Sequence, residues 1–242
     1  SEGSVGINRI LKTMRVLNGN VVIEKKGIYA IENYILSRRL MYMQVYLHKT
    51  VLSADSLLKK IFRRVSFLID EGEQLEIPSF SLQYFLQKKP TAKKVITNEV
   101  MEQYLSLDDH DVMICLKAWV NCQDPILADL TSRFLNRSLF RTTFIHKKGV
   151  KNLKENILTE TKKYLKKTGL PHDDFSAGFY IDFDKSYSEA YKYENESIWI
   201  MDDDQKAIEF SKAADTKHII ALTQPVVKPY VVHPKEINLD LH

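Results

Sequence analysis

The stretch from Gly27 to Lys49, GIYAIENYILSRRLMYMQVYLHK, constrains the fold of this chain more than any other part of its sequence. Within it, Ile28, Ile31 and Ile35 recur at the spacing of one helical face. Apolar residues at that spacing are typical of a helix that packs against a core. The stretch therefore predicts one long helix with a buried isoleucine face.

A second face of the same predicted helix carries a guanidinium, two phenols and an ammonium. These belong to Arg38, Tyr42, Tyr46 and Lys49, at positions i, i+4, i+8 and i+11. Arginine binds phosphate oxygens through a planar fork, lysine adds a point charge, and a tyrosine ring can stack under a sugar or a base. The spacing fits a nucleotide polyphosphate, and it equally fits a solvated or interface face whose tyrosines only pack.

The run SRRLMYMQVYLHK resembles the helix that follows the metal site in HD-domain phosphohydrolases. Within that superfamily it is most similar to the deoxynucleoside triphosphate (dNTP) triphosphohydrolases. Their pattern is an Arg, a Tyr eight residues on, and then His-Lys, which stand here as Arg38, Tyr46, His48 and Lys49. The stretch Ser4–Leu17 also resembles the segment that leads into this helix.

The resemblance implies that Arg38, Tyr42 and Tyr46 bind the substrate. Arg38 would contact the triphosphate and stabilise its oxygens, and Tyr46 would pack under the deoxyribose, where a 2′-hydroxyl would clash. This family includes a mammalian enzyme that joins a SAM domain to an HD domain, and the chain departs from its pattern at two positions, with Leu47 in place of Gln and Tyr42 in place of His. The base preference and the leaving-group contacts are therefore left undefined.

The resemblance also implies an effector site and an oligomer. His48 and Lys49 match positions that, in regulated members, lie near an effector nucleotide at a subunit boundary. We therefore expect these two residues to bind an effector, and we expect the protein to be a homo-oligomer.

A divalent metal is implied by the same resemblance, with ligands that lie outside this chain. The family uses a His, a His-Asp pair and a distant Asp, all of which precede the matching segment. The chain opens at Ser1 without an initiator Met. We therefore expect the C-terminal portion of an HD-type phosphohydrolase, without catalytic residues or metal ligands of its own. Whether the N-terminal HD portion is a separate chain, cleaved or omitted stays open.

His110-Asp111 is itself a His-Asp dipeptide and could imitate part of such a metal site. Pairing it with His48 and a downstream aspartate would complete the imitation, but dipeptide matches without structural context are weak. Asp108 or Asp109 followed by an apolar helical run is typical of a helix N-cap. We therefore interpret the dipeptide as the first turn of a helix.

Composition narrows the class of protein. The apolar fraction of 44% is close to the usual globular value, so a core can form. Charges interrupt the longest apolar runs, and no secretory signal pattern is visible, so we expect a cytoplasmic protein without a membrane partner. Cys115 and Cys122 are expected to be buried thiols. The net charge of +4 permits anionic ligands such as a nucleotide but does not require nucleic acid, which we do not expect as a partner.

The pattern predicts an α+β fold with three parts. Residues 1–72 would be the C-terminal part of an HD-type helical domain, residues 73–140 a helical extension, and residues 141–242 a small α+β subdomain. The helices predicted in the first two parts are Ile7–Leu17, Gly27–Lys49, a helix capped by Ser53 and ending at Gly72, Phe80–Leu86, Asn98–Leu105, Asp109–Val120 and Asp124–Arg137, with a brief strand at Val21–Ile23.

The third part alternates between strand and helix patterns. Its predicted strands are Arg141–His146, Gly178–Phe183, Ser197–Met201, Ala207–Phe210 and Pro229–Val232, and its predicted helices are Lys151–Lys167 and a segment near Asp215–Leu222. We expect these elements to form one small sheet, of the ferredoxin-like kind, covered on one face. The polar tail from Pro234 is expected to fray.

Two charged runs allow more than one interpretation. Eight lysines between residues 147 and 167 suit either an anion-binding patch or a solvated helix face, and the scarcity of interleaved aromatics, with Tyr164 alone among them, favours the solvated face. Asp202-Asp203-Asp204 suits either a magnesium site or a turn, and the turn is favoured because Asp bonds readily to its own backbone.

Two functions from different classes follow from these patterns. The first is a substrate-binding portion of a metal-dependent HD-type phosphohydrolase that acts on nucleotides, with dNTPs as substrates. The alternative is a non-catalytic regulatory module that binds a nucleotide or a partner chain.

Overall fold

In a computed structural model, the chain is described over residues 5–91, 97–145, 152–188, 197–213 and 226–237. The fold is α+β, which confirms the predicted class. Contacts divide the chain into two compact units, the first formed by Ser1–Val51 with Asp184–Pro229 and the second by Leu52–Phe183 with Tyr230–His242. The three-part division at residues 72 and 140 stays a prediction.

The described residues contain helices and short strands in the following order. The helices are α1 (Ile7–Thr13), α2 (Ile28–Met41), α3 (Lys49–Asp70), α4 (Phe80–Lys88), α5 (Asn98–Ser106), α6 (Asp109–Trp119), α7 (Pro125–Leu135), α8 (Leu153–Lys167), α9 (Asp174–Ala177) and α10 (Phe210–Ala213). The strands are β1 (Met14–Leu17), β2 (Asn20–Glu24), β3 (Arg141–Phe144), β4 (Asp182–Ser188), β5 (Trp199–Met201), β6 (Ala207–Glu209) and β7 (Val226–His233).

A β-hairpin in the first unit replaces the second half of the helix predicted over Ile7–Leu17. The helix ends at Thr13, and β1 then pairs antiparallel with β2. Asn18 and Gly19 join the two strands with φ values of 50° and 78°. Positive φ at both central residues is what a two-residue hairpin turn requires, so this dipeptide reverses the chain rather than ending a helix.

The first unit builds its core around α2. Its sheet has the order β1-β2-β5-β6, and β2 runs parallel to β5 through the pairs Ile23↔Ile200 and Glu24↔Met201. One apolar cluster joins this sheet to the helix, and its buried members are Ile23, Ile28, Ile31, Ile35, Ile200 and Phe210. The isoleucine face predicted for the helix is therefore confirmed.

The long helix predicted over Gly27–Lys49 is interrupted. Regular α-helix ends at Met41, a π turn follows over Tyr42–Tyr46, and Leu47 leaves helical geometry at φ −103° and ψ 18°. Lys49 begins the next helix, so its predicted place on the same face as Arg38 is wrong.

Helix α3 supplies the central stripe of the second unit. Leu57, Ile61 and Val65 are fully buried, which confirms the predicted inner face. Ser53 is not a cap, because it lies within the helix and its Oγ donates to the Phe140 carbonyl at 2.8 Å. The helical pattern of apolar residues thus predicted the buried face of α3 correctly and the start of α3 incorrectly.

Side-chain caps begin several helices of the second unit. The Asp108 carboxylate accepts from the backbone N–H of His110 and Asp111, and Asp111 reciprocates, which forms a capping box. The interpretation of His110-Asp111 as a first helical turn is confirmed.

The predicted strand over Gly178–Phe183 is wrong for most of its length, because β4 begins only at Asp182.

The strands after residue 140 belong to two sheets rather than one ferredoxin-like sheet. Strands β5 and β6 join β2 in the first unit, while β3, β7 and β4 form a separate sheet in that order. Strand β3 is antiparallel to β7, from Arg141↔His233 to Phe144↔Tyr230. The helix predicted near residues 215–222 and several lysines between 147 and 151 lie outside the described residues.

The tail that follows β7 is anchored as far as it is described, which corrects the expected fraying from Pro234. Ile237 is 4% exposed and packs in a cluster with Ile157 and Val231. Glu236 accepts a hydrogen bond from the Tyr164 hydroxyl at 3.5 Å. The buried Ile237 and the polar contacts of Glu236 together hold the described part of the tail in place.

Two further expectations concern membranes and cysteines. None of the helices in the described ranges has the length and apolar character needed to cross a membrane. Cys115 and Cys122 are both free thiols, the first buried and the second half-buried.

The first unit should depend strongly on the isoleucine face of α2. We expect Ile35→Ala to lower the free energy of unfolding by about 2–5 kcal/mol, since it opens a cavity in a closed cluster. Ile35 is 1% exposed, whereas its neighbour Leu36 is 44% exposed. Leu36→Ala should cost about 0.5 kcal/mol or less in the same urea titration. Equal losses for both variants would contradict the assigned helix orientation.

The second unit should lose stability in mild acid through His233. Its ring is buried, with Nδ1 2.8 Å from the Pro234 carbonyl and Nε2 3.3 Å from the Thr143 hydroxyl. Burial, assisted by the nearby positive charge of Arg141, lowers the pKa of His233. Folding therefore favours the neutral ring, so this contribution is complete above about pH 6.5 and is lost as the pH falls below it.

We expect His233→Gln to flatten the pH dependence of the free energy of unfolding between pH 7.5 and 5. The matched control is His172→Gln, because His172 is exposed and should leave the slope unchanged. A wild-type slope retained in His233→Gln would exclude this residue as the source.

Candidate functional site

Arg38, Tyr42 and Tyr46 lie around one cavity in the first unit. The cavity has a volume of about 710 Å³, and all three side chains line it. Arg38 is on the last turn of α2, and the two tyrosines are the first and last residues of the π turn. The structure thus brings together the three residues that the resemblance implies as substrate-binding.

The three side chains form a stacked series. The Arg38 guanidinium carbon is 5.7 Å from the centre of the Tyr42 ring, which is within cation–π range. The Tyr42 and Tyr46 ring centres are 5.2 Å apart with an interplanar angle of 57°. A cation and two aromatic faces therefore border the same space.

The π turn explains why residues eight apart share one cavity. On a regular α-helix such residues differ by about 80° around the axis. Here the Leu47 N–H donates to the Tyr42 carbonyl at 2.8 Å, an i→i+5 bond that takes an extra residue into the turn. The extra residue rotates Tyr46 back towards the face of Arg38. π turns within helices are frequent at functional sites.

Arg38 differs from the structural arginines in its charge environment. Among the described residues no carboxylate forms an ion pair with Arg38. By contrast, Arg64 donates two hydrogen bonds to Asp124, at 3.0 and 2.6 Å, and its guanidinium lies 5.1 Å from the ring centres of Phe67 and Phe179. Within the described ranges the positive charge of Arg38 is thus left without an acidic partner, whereas that of Arg64 is neutralised by Asp124.

A larger cavity, of about 1020 Å³, lies in the second unit but suits a nucleotide phosphate poorly. Its wall includes three glutamates, Glu71, Glu73 and Glu76, together with the neutralised Arg64. Carboxylates at this density repel phosphate oxygens. Although Lys117 also lines the larger cavity, its carboxylates outnumber its cations, so of these two cavities charge favours the smaller one as the anion site.

His48 and Lys49, the residues expected to bind an effector, stand apart from the cavity of Arg38. His48 lies between the π turn and α3, and its Nδ1 accepts from the Thr50 N–H at 3.3 Å. Lys49 is the first residue of α3, and both side chains are exposed. Neither residue lines the 710 Å³ cavity.

Four further residues of this cavity were not singled out by the sequence pattern. They are Val5, Tyr34, Ser37 and Met41. Tyr34 and Met41 lie four residues before and three residues after Arg38, so the helical spacing that pointed to Tyr42 also pointed to them. Val5 lies far away in sequence and carried no such signal.

The other charged clusters have structural explanations. The Asp202 carboxylate accepts from the N–H groups of Asp204 and Lys206, at 3.0 and 2.7 Å, which confirms a turn. Lys162 pairs with Asp174 at 2.6 Å, as expected for a solvated helix face.

A buried lysine in the second unit also has fixed partners. Lys60 donates to the Gly178 carbonyl at 3.0 Å and lies 3.4 Å from Asp182, and burial lowers the pKa of its ammonium. Asp182 in turn accepts from the Ser56 hydroxyl at 2.9 Å. This network ties α3 to the start of β4 and needs no ligand.

The described part of the chain does not fit a resident metal. Within it, no three side chains of His, Cys, Asp or Glu are grouped closely enough to hold a metal ion. The cavity of Arg38 offers a cation, hydroxyls and aromatic faces. Its chemistry is therefore that of binding and orienting an anion that carries a flat or apolar part.

Comparisons with other proteins show that this site lies in a part of the chain that matches a known protein family. Residues 5–77, which include α2 and the π turn, match the family described as HD associated region. The chain is 36% identical over 141 residues to the uncharacterized Bacillus subtilis protein YwfO, and 37% identical over 145 residues to the uncharacterized Methanocaldococcus jannaschii protein MJ1154. These matches cover 58% and 54% of this chain but only 30% and 31% of the two relatives.

Solved structures with the same fold cover nearly the whole chain. A phosphohydrolase from Bacteroides thetaiotaomicron matches with a TM-score of 0.82 and 30% identity, over 96% of this chain and 56% of that protein. A hypothetical protein from Aquifex aeolicus matches with a TM-score of 0.51 and 20% identity, over 98% of this chain and 50% of that protein, which concerns the fold alone. The family match and the likeness to a phosphohydrolase together support a relation of this chain to the HD superfamily.

The difference in charge environment between Arg38 and Arg64 can be tested by measuring the free energy of unfolding of their alanine variants. We expect Arg38→Ala to change the free energy of unfolding by about 1 kcal/mol or less, since only a partly exposed cation–π contact is lost. Arg64→Ala should cost about 3–5 kcal/mol, because it leaves the Asp124 carboxylate unpaired. Urea unfolding of both variants provides the test. A loss of several kcal/mol in Arg38→Ala would make Arg38 a structural residue.

Proposed function

We propose that this chain supplies the substrate-binding side of a metal-dependent HD-type phosphohydrolase that acts on nucleotides, with dNTPs as substrates. The main support is the cavity lined jointly by Arg38, Tyr42 and Tyr46, in which the Arg38 charge has no acidic partner among the described residues. The relation to the HD superfamily supplies the reaction class.

Arg38 is proposed to hold the triphosphate. Its planar fork can donate two parallel hydrogen bonds to phosphoryl oxygens, which fixes orientation as well as charge. Because the phosphates gain or redistribute negative charge during hydrolysis, a fixed guanidinium stabilises the transition state more than water does.

Tyr46 is proposed to pack under the deoxyribose. Its side chain is 54% exposed, so one ring face remains available although the ring also contacts Tyr42. A ring in that position leaves no room for a 2′-hydroxyl, which would favour deoxyribonucleotides over ribonucleotides.

The divalent metal is proposed to bind outside this chain. It would supply an activated hydroxide for attack on the phosphoryl group. The residues of this chain would bind the triphosphate, place the sugar and keep the reacting phosphorus in line with the attacking oxygen. They would be positioning groups rather than proton-transfer groups.

Regulation and assembly form part of the proposal. His48 and Lys49 would bind an effector nucleotide at a boundary between copies of a homo-oligomer. The partners would thus be the nucleotide, the HD portion and further copies of the chain, in the cytoplasm.

Arg38→Ala in the full-length protein should lower kcat/KM for dNTPs by about 10- to 100-fold, since a hydrogen bond to a charged group contributes about 1.5–3 kcal/mol. The measurement is steady-state release of inorganic polyphosphate or nucleoside with Mg²⁺ or Mn²⁺ present. The matched control is Arg39→Ala, which removes an adjacent arginine that does not line the cavity.

Two results would count against the proposal. Unchanged kcat/KM in Arg38→Ala would remove the residue from the site. Tight dNTP binding without hydrolysis by the metal-loaded full-length protein would instead favour a non-catalytic nucleotide-binding module.

A further inference from the structure

We propose that Tyr42 is a positioning residue, whose ring orders the Arg38 guanidinium and supports the Tyr46 ring, and that the π turn exists to hold this arrangement. The inference rests on the proposed function. It assigns Tyr42 a different role from direct substrate binding, and it assigns a purpose to a local irregularity of the helix.

The first support is the place of Tyr42 between its two neighbours. Its ring centre is 5.7 Å from the Arg38 guanidinium carbon and 5.2 Å from the Tyr46 ring centre. A free arginine side chain samples many rotamers, and binding a phosphate in a fork requires one of them. Stacking on an aromatic ring restricts the guanidinium before the ligand arrives, which reduces the entropy lost on binding.

The second support is the difference in exposure between the two tyrosines. Tyr46 is 54% exposed, whereas Tyr42 is half-buried. The ring with more free surface is the one suited to contact a sugar. Tyr42 has less free surface because it lies between two side chains, as expected of a residue that acts through its neighbours.

The third support is the backbone. The Tyr42 carbonyl accepts the i→i+5 bond from the Leu47 N–H, so the residue that stacks on Arg38 also closes the π turn. A π turn is less favourable than regular helix and persists where it serves packing or function. Here it brings Tyr46 towards the face of Arg38, from which a regular helix would displace it by about 80°.

The test is a double-mutant cycle in the full-length protein, with inorganic tripolyphosphate as a competitive inhibitor of dNTP hydrolysis. Tripolyphosphate has no sugar or base, so its inhibition constant reports the phosphate contact alone. We expect Tyr42→Leu to raise that constant about two- to fivefold, the range of a partly exposed cation–π contact. Tyr42→Phe should leave it unchanged, because the ring and not the hydroxyl makes the contact.

Coupling to Arg38 separates positioning from general structural support. In an Arg38→Ala background, Tyr42→Leu should raise the inhibition constant no further. Tyr29→Leu is the control for loss of a tyrosine on the same helix, since Tyr29 is 68% exposed and does not line the cavity. Urea unfolding of each variant checks that the fold is retained. Besides Tyr42→Phe, Tyr42→His provides a second variant that keeps an aromatic ring.

Each outcome decides between the proposals. Suppose that Arg38→Ala weakens inhibition. If Tyr42→Leu then has no effect in the wild-type background, or raises the inhibition constant by the same factor in the wild-type and Arg38→Ala backgrounds, the positioning role is overturned while the proposed function stands. If Tyr42→Phe weakens inhibition as much as Tyr42→Leu, the hydroxyl binds phosphate directly and the positioning role fails. If Arg38→Ala has no effect, the proposed function and the positioning role fail together.

Discussion

Burial of the isoleucine face of α2 is the interaction on which the site depends. Ile31 and Ile35 pack against Ile23 and Ile200 of the first sheet, and this contact sets the rotation of the helix about its axis. Once that rotation is set, Arg38 is placed on a different face, away from the core. A polar group so placed keeps access to a ligand without the cost of burying an unpaired charge.

The π turn adds a local adjustment that helical periodicity does not contain. A regular helix would leave Tyr46 displaced around the axis from Arg38, whereas the i→i+5 bond to Leu47 brings both to one cavity. The result is a short surface formed by Arg38, Tyr42 and Tyr46 at the end of α2. Functional groups held by regular elements are placed more precisely than groups on loops.

Sequence reasoning succeeded where the signal is local. The isoleucine face, the Asp108 cap and the turn at Asp202 all depend on residues that follow one another at intervals of four positions or fewer, and each is present in the structure. It failed where pairing between distant segments decides the outcome. Residues 14–17 continue a helical pattern, yet they form β1 because β2 is available as a partner.

The order of residues along the chain was also a poor guide to the sheets. Strand β5 pairs with β6, its neighbour in sequence, but its other partner is the distant β2, through Ile23 and Ile200. The interruption of the predicted long helix at Leu47 was not predicted, because none of the residues next to Leu47 is Gly or Pro, the usual signals of a helix end. The fraying expected from Pro234 was wrong as far as Ile237 because the partners of this segment, Ile157 and Val231 for Ile237 and Arg133 for Glu236, are distant in sequence or in the preceding strand.

The amino-acid sequence alone determined the α+β class, the buried face of α2, the Asp108 helix cap and the three residue types that the candidate site uses, since each depends on short-range spacing. The tertiary structure decided which strands share a sheet, where the long helix breaks, and that Arg38, Tyr42 and Tyr46 border one cavity. These features depend on contacts between distant segments and on one non-standard helical turn, and neither is expressed in the local pattern of polar and apolar residues.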